Sequence, residues 1–229
     1  MLQQSAIHAD AIRLPIKSVR AESLMSTVTR CESIEMMGVS MHYGRNVEIY
    51  GENEPAEFLY KVVSGTVRTY KVLADGRRQI SAFYLPGDIF GLESGDAHSF
   101  SAEAVTDSKV LVIKRSALVA LAQRDNVVSR KLWDLTSCEL RRVQDHIMLL
   151  VKTAQERVVG FLLEMAARIP SGNQVELPMS RQDIADYLGL TIETVSRTLT
   201  QLENVSAIEL PTSRRIVLRN RTALNRLNG

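Results

Sequence analysis

Residues 180–203 read SRQDIADYLGLTIETVSRTLTQLE, and the rest of the chain takes its meaning from them. Ser180 with Asp183 three residues on is a capping-box-like helix start, in which a hydroxyl and a carboxylate serve free N–H groups. Ile184, Ala185 and Leu188 form one apolar face, and the small Ala185 lets a second helix cross closely. Gly189 suits a turn that needs left-handed backbone, and Thr191 can cap the helix that follows. Val195, Leu199 and Leu202 give that helix a buried face at steps of four and three. Together these features spell a helix-turn-helix. The opposite face carries Glu193, Ser196, Arg197 and Thr200. An arginine fork matches O6 and N7 of guanine, glutamate can accept from cytosine N4, and serine is versatile. The N-terminal part of a recognition helix meets the base edges, so Glu193, Ser196 and Arg197 are the candidates for base readout.

Downstream, residues 207–210 and 216–218 flank a turn at Pro211-Thr212-Ser213 and read as a β-hairpin wing. From Asn204 onward there are five arginines and one acid, Glu209, a balance suited to a phosphate-facing surface. Arg214 and Arg215 near the wing tip, with Ser180 and Thr191, are the candidates for backbone contacts. Upstream, Thr153 to Glu156 forms a second capping box. It opens a helix lined by Val158, Phe161, Leu162, Met165 and Ala166. A loop at 170–173 and a short strand at 175–177 follow. Residues 153–229 are thus a winged helix-turn-helix.

Residues 116–152 have helical periodicity. A short helix over 117–122 is punctuated by Asp125-Asn126. Trp133, Thr136, Leu140, Val143, Ile147 and Leu150 then fall at alternating steps of three and four. A 3.5-residue period is what a partner helix requires, so these six are the expected dimer interface. A helix laid over a barrel is the alternative, and both can hold, because Leu132, Leu135 and Leu149 offer a second apolar edge.

Residues 29–115 carry short strands with frequent turns. The runs 58–63, 67–73, 80–85 and 110–113 are β-rich, and Asp75-Gly76 is a hairpin turn. This predicts a small antiparallel barrel or jelly roll. Residues 1–28 are a weakly patterned extension in which Ile7, Ala11 and Leu14 could share a helical face, and residues 31–34 begin a short helix. Met36, Met37 and Met41 read as core packing rather than a metal or haem site.

The segment LGLTIETVSRTL resembles the recognition segment of the CRP/FNR superfamily of bacterial transcription regulators. The E-x-x-S-R pattern at Glu193, Ser196 and Arg197 is similar to its FNR and FixK branches. The resemblance implies TTGA-type half-sites in an inverted repeat, with Arg197 on guanine, Glu193 and Ser196 on neighbouring pairs, and activation through RNA polymerase. SGTVRTYKVLADGRRQISAFYLPGDIFG resembles the cyclic-nucleotide-type sensor barrel of the same superfamily. The expected class is therefore α+β: an N-terminal antiparallel barrel, a long dimerisation helix and a C-terminal winged helix-turn-helix.

The barrel departs from the nucleotide-binding pattern. Phe90-Gly91 is followed by Leu92, with Glu93 one place late. Between Arg78 and Lys109 there is no lysine or arginine, while Asp88, Glu93, Asp96, Glu103 and Asp107 occur. A cyclic phosphate needs a cation or a nest of N–H groups, so the local charge argues against cyclic AMP. Two cysteines, Cys31 and Cys138, are too few for a four-thiolate iron–sulfur cluster in one chain. His8, His42, His98 and His146 have no ligand spacing and read as surface or hydrogen-bonded core residues. No H-x-H pair supports a cupin-like metal enzyme.

The 229 residues, 45% hydrophobic and 24% charged with net charge +2, are an ordinary globular balance. Asp10, Arg13 and Lys17 interrupt any signal-peptide core, and no run is long enough to cross a bilayer, so a cytoplasmic protein is expected. The sequence reads as a homodimeric, DNA-binding transcription regulator that needs neither cofactor nor metal. A regulator gated by haem or another barrel ligand is the alternative.

Overall fold

The computed structural model describes residues 38–169 and 172–228. The expectations for the extension over 1–28, the helix at 31–34, Cys31, His8, Met36 and Met37, and Pro170 with Ser171 in the loop, lie outside those residues.

Eight strands form the barrel: β1 (Val39–Tyr43), β2 (Glu48–Tyr50), β3 (Phe58–Ser64), β4 (Val67–Val72), β5 (Arg78–Tyr84), β6 (Ile89–Phe90), β7 (Ser101–Ala104) and β8 (Ser108–Lys114). They make two antiparallel four-stranded sheets, ordered β1-β8-β3-β6 and β2-β7-β4-β5. Tyr50, Tyr60, Val62, Val67, Ala82, Tyr84, Phe90, Ala102 and Val110 fill the space between. The β4–β5 hairpin closes as its turn residues require: Gly76 has φ 84° and its N–H donates to Leu73 O at 2.9 Å.

Four strands, β1, β2, β6 and β7, lie outside the expected runs. β7 carries Ala102 and Ala104 inward, and alanines are too small to stand out as an apolar alternation. β1 is an edge strand with little burial, and Met41 on it is 45% exposed rather than packed in a core.

Helix α1 (Arg115–Arg124) leads into α2 (Asn126–Leu150), whose start is fixed by the Asp125 carboxylate accepting from Val127 N–H. Helix α2 has two stripes with the same three-and-four spacing. Leu132, Leu135, Glu139, Arg142, His146 and Leu149 are half-buried. On that stripe Arg142 stacks on Tyr84 of β5 with its guanidinium 5.1 Å from the ring, and reaches Asp88 at 3.2 Å. The other stripe is open: Trp133 is 74% exposed, and Thr136, Leu140, Val143 and Ile147 are exposed too, with Leu150 half-buried.

The Thr153–Glu156 capping box ends this run and starts α3 (Ala154–Arg168), which buries Val158, Val159, Phe161, Leu162 and Met165. Then come β9 (Gln174–Glu176), α4 (Arg181–Leu188), α5 (Ile192–Asn204), β10 (Ile208–Glu209), β11 (Arg215–Leu218) and α6 (Arg221–Leu227). The strands pair in the order β10-β11-β9. Helix α6 was not foreseen. Its polar residues hide a one-turn pattern in which Asn220 caps Ala223 N–H and Leu224 alone is fully buried.

The barrel and the C-terminal region share apolar packing. Ile80, Phe83 and Val105 of the barrel belong to the same core as α3, α4, α5 and the wing. Phe83 lies 5.3 Å from the Tyr187 ring and 6.3 Å from Phe161, an aromatic junction between the two.

Candidate nucleic-acid interface

Helix α4 starts with a complete capping box. Ser180 Oγ accepts from Asp183 N–H at 3.1 Å, and Asp183 Oδ2 accepts from Ser180 N–H at 3.0 Å and from its hydroxyl at 2.8 Å. The helix stops at Gly189, whose φ of 61° and ψ of 40° lie in the left-handed region that glycine adopts without strain. Thr191 then caps α5 by accepting from Thr194 N–H at 3.2 Å. Val195, Thr198, Leu199 and Leu202 are buried, and this locks α5 onto α4.

That packing leaves Glu193, Ser196, Arg197 and Thr200 exposed on one face. Among the described residues no acceptor pairs with the Arg197 guanidinium, so its fork is free for an external ligand. Glu193 is held below the usual carboxylate range by its own backbone N–H and the Thr191 hydroxyl, and so stays ionised. Thr200 turns its hydroxyl inward to Ser196 O at 3.1 Å.

The four residues expected at the phosphate backbone are placed differently from one another. Thr191 is exposed at the N-terminus of α5, where free N–H groups and the helix dipole favour an anion. Arg215 is exposed at the start of β11. Arg214 is half-buried and lines a cleft with Arg168, Pro86 and Pro178 between wing and barrel. Ser180 is half-buried with its hydroxyl engaged on both sides by Asp183. Of the other C-terminal arginines, Arg219 pairs with Glu209 and Arg221 donates to Gly172 O at 3.0 Å. The basic tail is therefore partly spent on internal contacts, which a charge count does not reveal.

While α5 faces outward, α4 is docked. Arg68 of β4 donates to Asp183 Oδ1 at 3.0 Å and to Glu103 Oε1 at 2.9 Å. Arg78 of β5 reaches the same Asp183 oxygen at 2.6 Å and Asp186 Oδ2 at 2.8 Å. Burial works against the charged form of Asp183. The Ser180 donors and the two guanidinium groups outweigh it and hold the pKa below the ordinary value. The side chains of Arg68 and Asp183 are 7% and 6% exposed. Removing Arg68 would leave the buried carboxylate with Arg78 and the Ser180 donors as its remaining partners, and would strip Glu103 of its own. The carbonyls at the end of α4 are also claimed. Tyr187 O accepts from Gln79 Nε2 at 3.3 Å and from His146 Nε2 at 2.9 Å, and Leu188 O accepts from Arg157 Nη1 at 3.0 Å. None of these long-range partners is apparent from sequence, because each pairing spans 31 to 115 residues of chain, as Arg157 with Leu188 and Arg68 with Asp183 do.

Within the barrel, a cavity of about 190 Å³ is lined by Tyr50, Tyr84, Phe90, Glu93 and Ser99, with Glu139 and Val143 of α2. Gly91 has φ 78° there, and a Cβ would come within 2.8 Å of the Tyr60 ring. Glu93 is turned onto the loop, accepting from Ser99 N–H and its hydroxyl, each at 3.0 Å. His98 is a core histidine, but not a hydrogen-bonded one: its ring stacks on Tyr50 at 3.6 Å, and both ring nitrogens lack a hydrogen-bond partner among the described residues. No group of three metal-ligating side chains occurs among the described residues.

This combination of jelly roll, long helix and winged helix-turn-helix defines a CRP/FNR-type transcription regulator, and the chain belongs to that family. Residues 156–227 match the Crp-like helix-turn-helix domain, and residues 40–125 match the cyclic nucleotide-binding domain. More particularly, it is 49% identical to the nitrogen fixation regulation protein FixK of Azorhizobium caulinodans, over 97% of this chain and 95% of that one. It is 39% identical, over 77% of this chain and 76% of that one, to the transcriptional activatory protein AadR of Rhodopseudomonas palustris. The structure of FixK2 from Bradyrhizobium japonicum superposes with a TM-score of 0.81 at 53% identity, covering 84% of this chain and 98% of that one. The chain is thus a FixK-type transcription regulator with a helix-turn-helix DNA-binding domain. Its relatives are regulators, not enzymes. No helix among the described residues is long and apolar enough to cross a membrane.

The barrel class implies a cyclic nucleotide, but the residues do not fit one. The cavity wall offers two carboxylates, Glu93 and Glu139, where an anionic diester would need cations. The nearby guanidinium of Arg142 is already held by Asp88 and Glu139, at 3.2 Å each.

Proposed function

We propose that this protein is a homodimeric transcription activator that reads an inverted TTGA-type repeat without a bound nucleotide or iron–sulfur cluster. The observation that carries the reading is the unpaired face of α5, with Glu193, Ser196 and Arg197 exposed on a helix whose other side is locked down. Arg197 takes guanine in a bidentate contact, and Glu193 and Ser196 take the neighbouring pairs. Thr191 and Arg215 hold phosphates, with Arg214 contributing from the wing–barrel cleft and Ser180 acting through the helix cap.

A second copy covers the open stripe of α2. Leu140, Val143 and Ile147 are apolar and exposed in a heptad register, a surface that a partner helix buries. Two recognition helices then meet successive major grooves about 34 Å apart. Activation is supported by relatives named as activators, and contact with RNA polymerase is the route proposed for it. Nucleotide independence is supported by the acidic cavity and by the direct tie between barrel and α4, which holds the helix-turn-helix with the reading face outward.

The test is selection from a random DNA pool with protein purified aerobically and shown by mass spectrometry and elemental analysis to lack nucleotide and iron. An inverted TTGA-type repeat is the expected product. Specific binding that appears only after adding cyclic AMP, or only after cluster reconstitution, would overturn the proposal.

A further inference from the structure

The contact between barrel and α4 is built from two kinds of force. Phe83 against Phe161 and Tyr187 is apolar, and apolar burial has little directionality. The ion pairs are directional. Arg78 spans one turn of α4, with Nε on Asp186 and Nη2 on Asp183, while its guanidinium lies 5.8 Å from the Tyr70 ring. Arg68 comes to the same Asp183 oxygen from the neighbouring strand and is itself braced by Glu103. Gln79 adds a third hold at the far end of the helix, on Tyr187 O. A helix gripped at three points along its length by two paired strands cannot slide along the sheet or roll on the aromatic junction without breaking charge-assisted bonds.

Asp183 also serves the cap of α4 with its other oxygen. The carboxylate that starts the first helix of the motif is therefore the one the barrel holds. Since α5 is packed rigidly on α4, the grip fixes where the reading face points relative to the barrel, and through α2 relative to a partner protomer.

We infer that Arg68 and Arg78 are positioning residues for DNA recognition, setting the half-site spacing that the dimer accepts while leaving base readout within each half-site untouched. This rests on the proposed homodimer and inverted repeat. In a dimer, rotation of each helix-turn-helix about the barrel contact moves the two reading faces apart or together. A loosened grip spreads that distance over a range. The expected signature is lost spacing discrimination, not lost base preference, and a generally destabilised protein would not show it.

Arg78 is the residue to change, because its side chain is 25% exposed and the buried Arg68–Asp183 pair survives its loss. The measurement is the affinity of full-length wild type and Arg78→Gln for three duplexes. One carries two half-sites at the selected spacing, one has the spacing changed by a base pair, and one has a single half-site. Melting and sedimentation are recorded for each protein. Arg78→Gln should reduce the preference for the selected spacing by about tenfold, within the range in which coupled sites shift each other's affinity. Single half-site affinity and base preference should stay unchanged, and Arg78→Lys should recover part of the discrimination. If Arg78→Gln does not fold, Asp186→Asn replaces it, an isosteric change that removes one of the Arg78 partners. A folded, dimeric variant of either kind that keeps the full spacing preference overturns the inference. A wild-type protein that binds single half-sites but shows no spacing preference overturns the dimer reading and the inference with it.

Discussion

The two helices of the helix-turn-helix handle charge in opposite ways. Helix α4 carries Asp183 and Asp186, and both are matched by arginines of the barrel. Helix α5 carries Arg197 on its exposed face with nothing among the described residues matched to it. A guanidinium that already has its carboxylate is part of the architecture. One that projects from a rigid helix with no partner is available to a ligand of opposite charge. Helix α2 repeats the contrast in apolar terms. One stripe is docked on its own chain through Arg142 and His146, and the other is bare from Trp133 to Ile147.

The largest effect should come from spoiling the bare stripe. Leu140→Glu or Ile147→Glu places a charge where a partner helix would desolvate it. Sedimentation should show monomers, and affinity for a two-half-site duplex should fall by on the order of a hundredfold as the linkage between half-sites is lost. A dimer that persists with either change would move the interface off α2.

Next in size is the free guanidinium on α5. Arg197→Ala should relax discrimination at one G·C pair per half-site by about 1–3 kcal/mol. Arg197→Lys should restore this only in part, since lysine lacks the planar fork. Binding assays across all single-base variants of the site would measure it, and unchanged discrimination at every position would remove Arg197 from the readout.

The wing sharpens the contrast between free and engaged arginines. Arg215→Ala should weaken binding to all sequences alike and shrink the slope of log K against log salt by about one unit. Arg214→Ala should change the slope less, because Arg214 is half-buried in the wing–barrel cleft. Equal slope changes would show that the cleft does not restrain it.

The smallest effect should be on stability in mild acid. Burial lowers the His146 pKa below its ordinary 6.5, with the Tyr187 carbonyl opposing the shift. Burial lowers His98 as well, with Glu93 opposing. The unfolded chain takes up these protons near pH 6.5 and the folded chain resists. Their stabilisation is therefore complete above that pH and is lost as pH falls through the lower, folded values. Asp183 has its ordinary pKa at 3.8 and its folded value below that, so its share persists until far more acid conditions. Tm should be flat from about pH 8 to 6.5 and decline below, ahead of any loss of the α4 ion pairs. A constant Tm down to about pH 5 would show that neither histidine is as confined as its packing suggests.

Much of this was legible in the chain itself. The capping residues Ser180, Thr191 and Thr153, the turn at Gly189 and the periodic faces of α3, α4 and α5 act within a few residues of themselves, so their spacing carries the signal. The same holds for the hairpin at Asp75-Gly76 and the two periodic stripes of α2. Strands β1 and β7 escaped because one is an edge with little to bury and the other packs with alanines. Helix α6 escaped because its basic, polar residues look like a tail until Leu224 finds a core.

What the sequence determined, then, was the set of local elements and the face each would bury, because helix periods, caps and turns are short-range physics. Tertiary structure decided which charges were already taken. Arg68 and Arg78 look no different from Arg197 in the chain, and only the approach of β4 and β5 to α4 pairs the first two with Asp183 and Asp186 and leaves the third free. Ion pairing depends on distance in space. The partners here lie 105 to 115 residues apart, beyond the reach of any pattern along the chain.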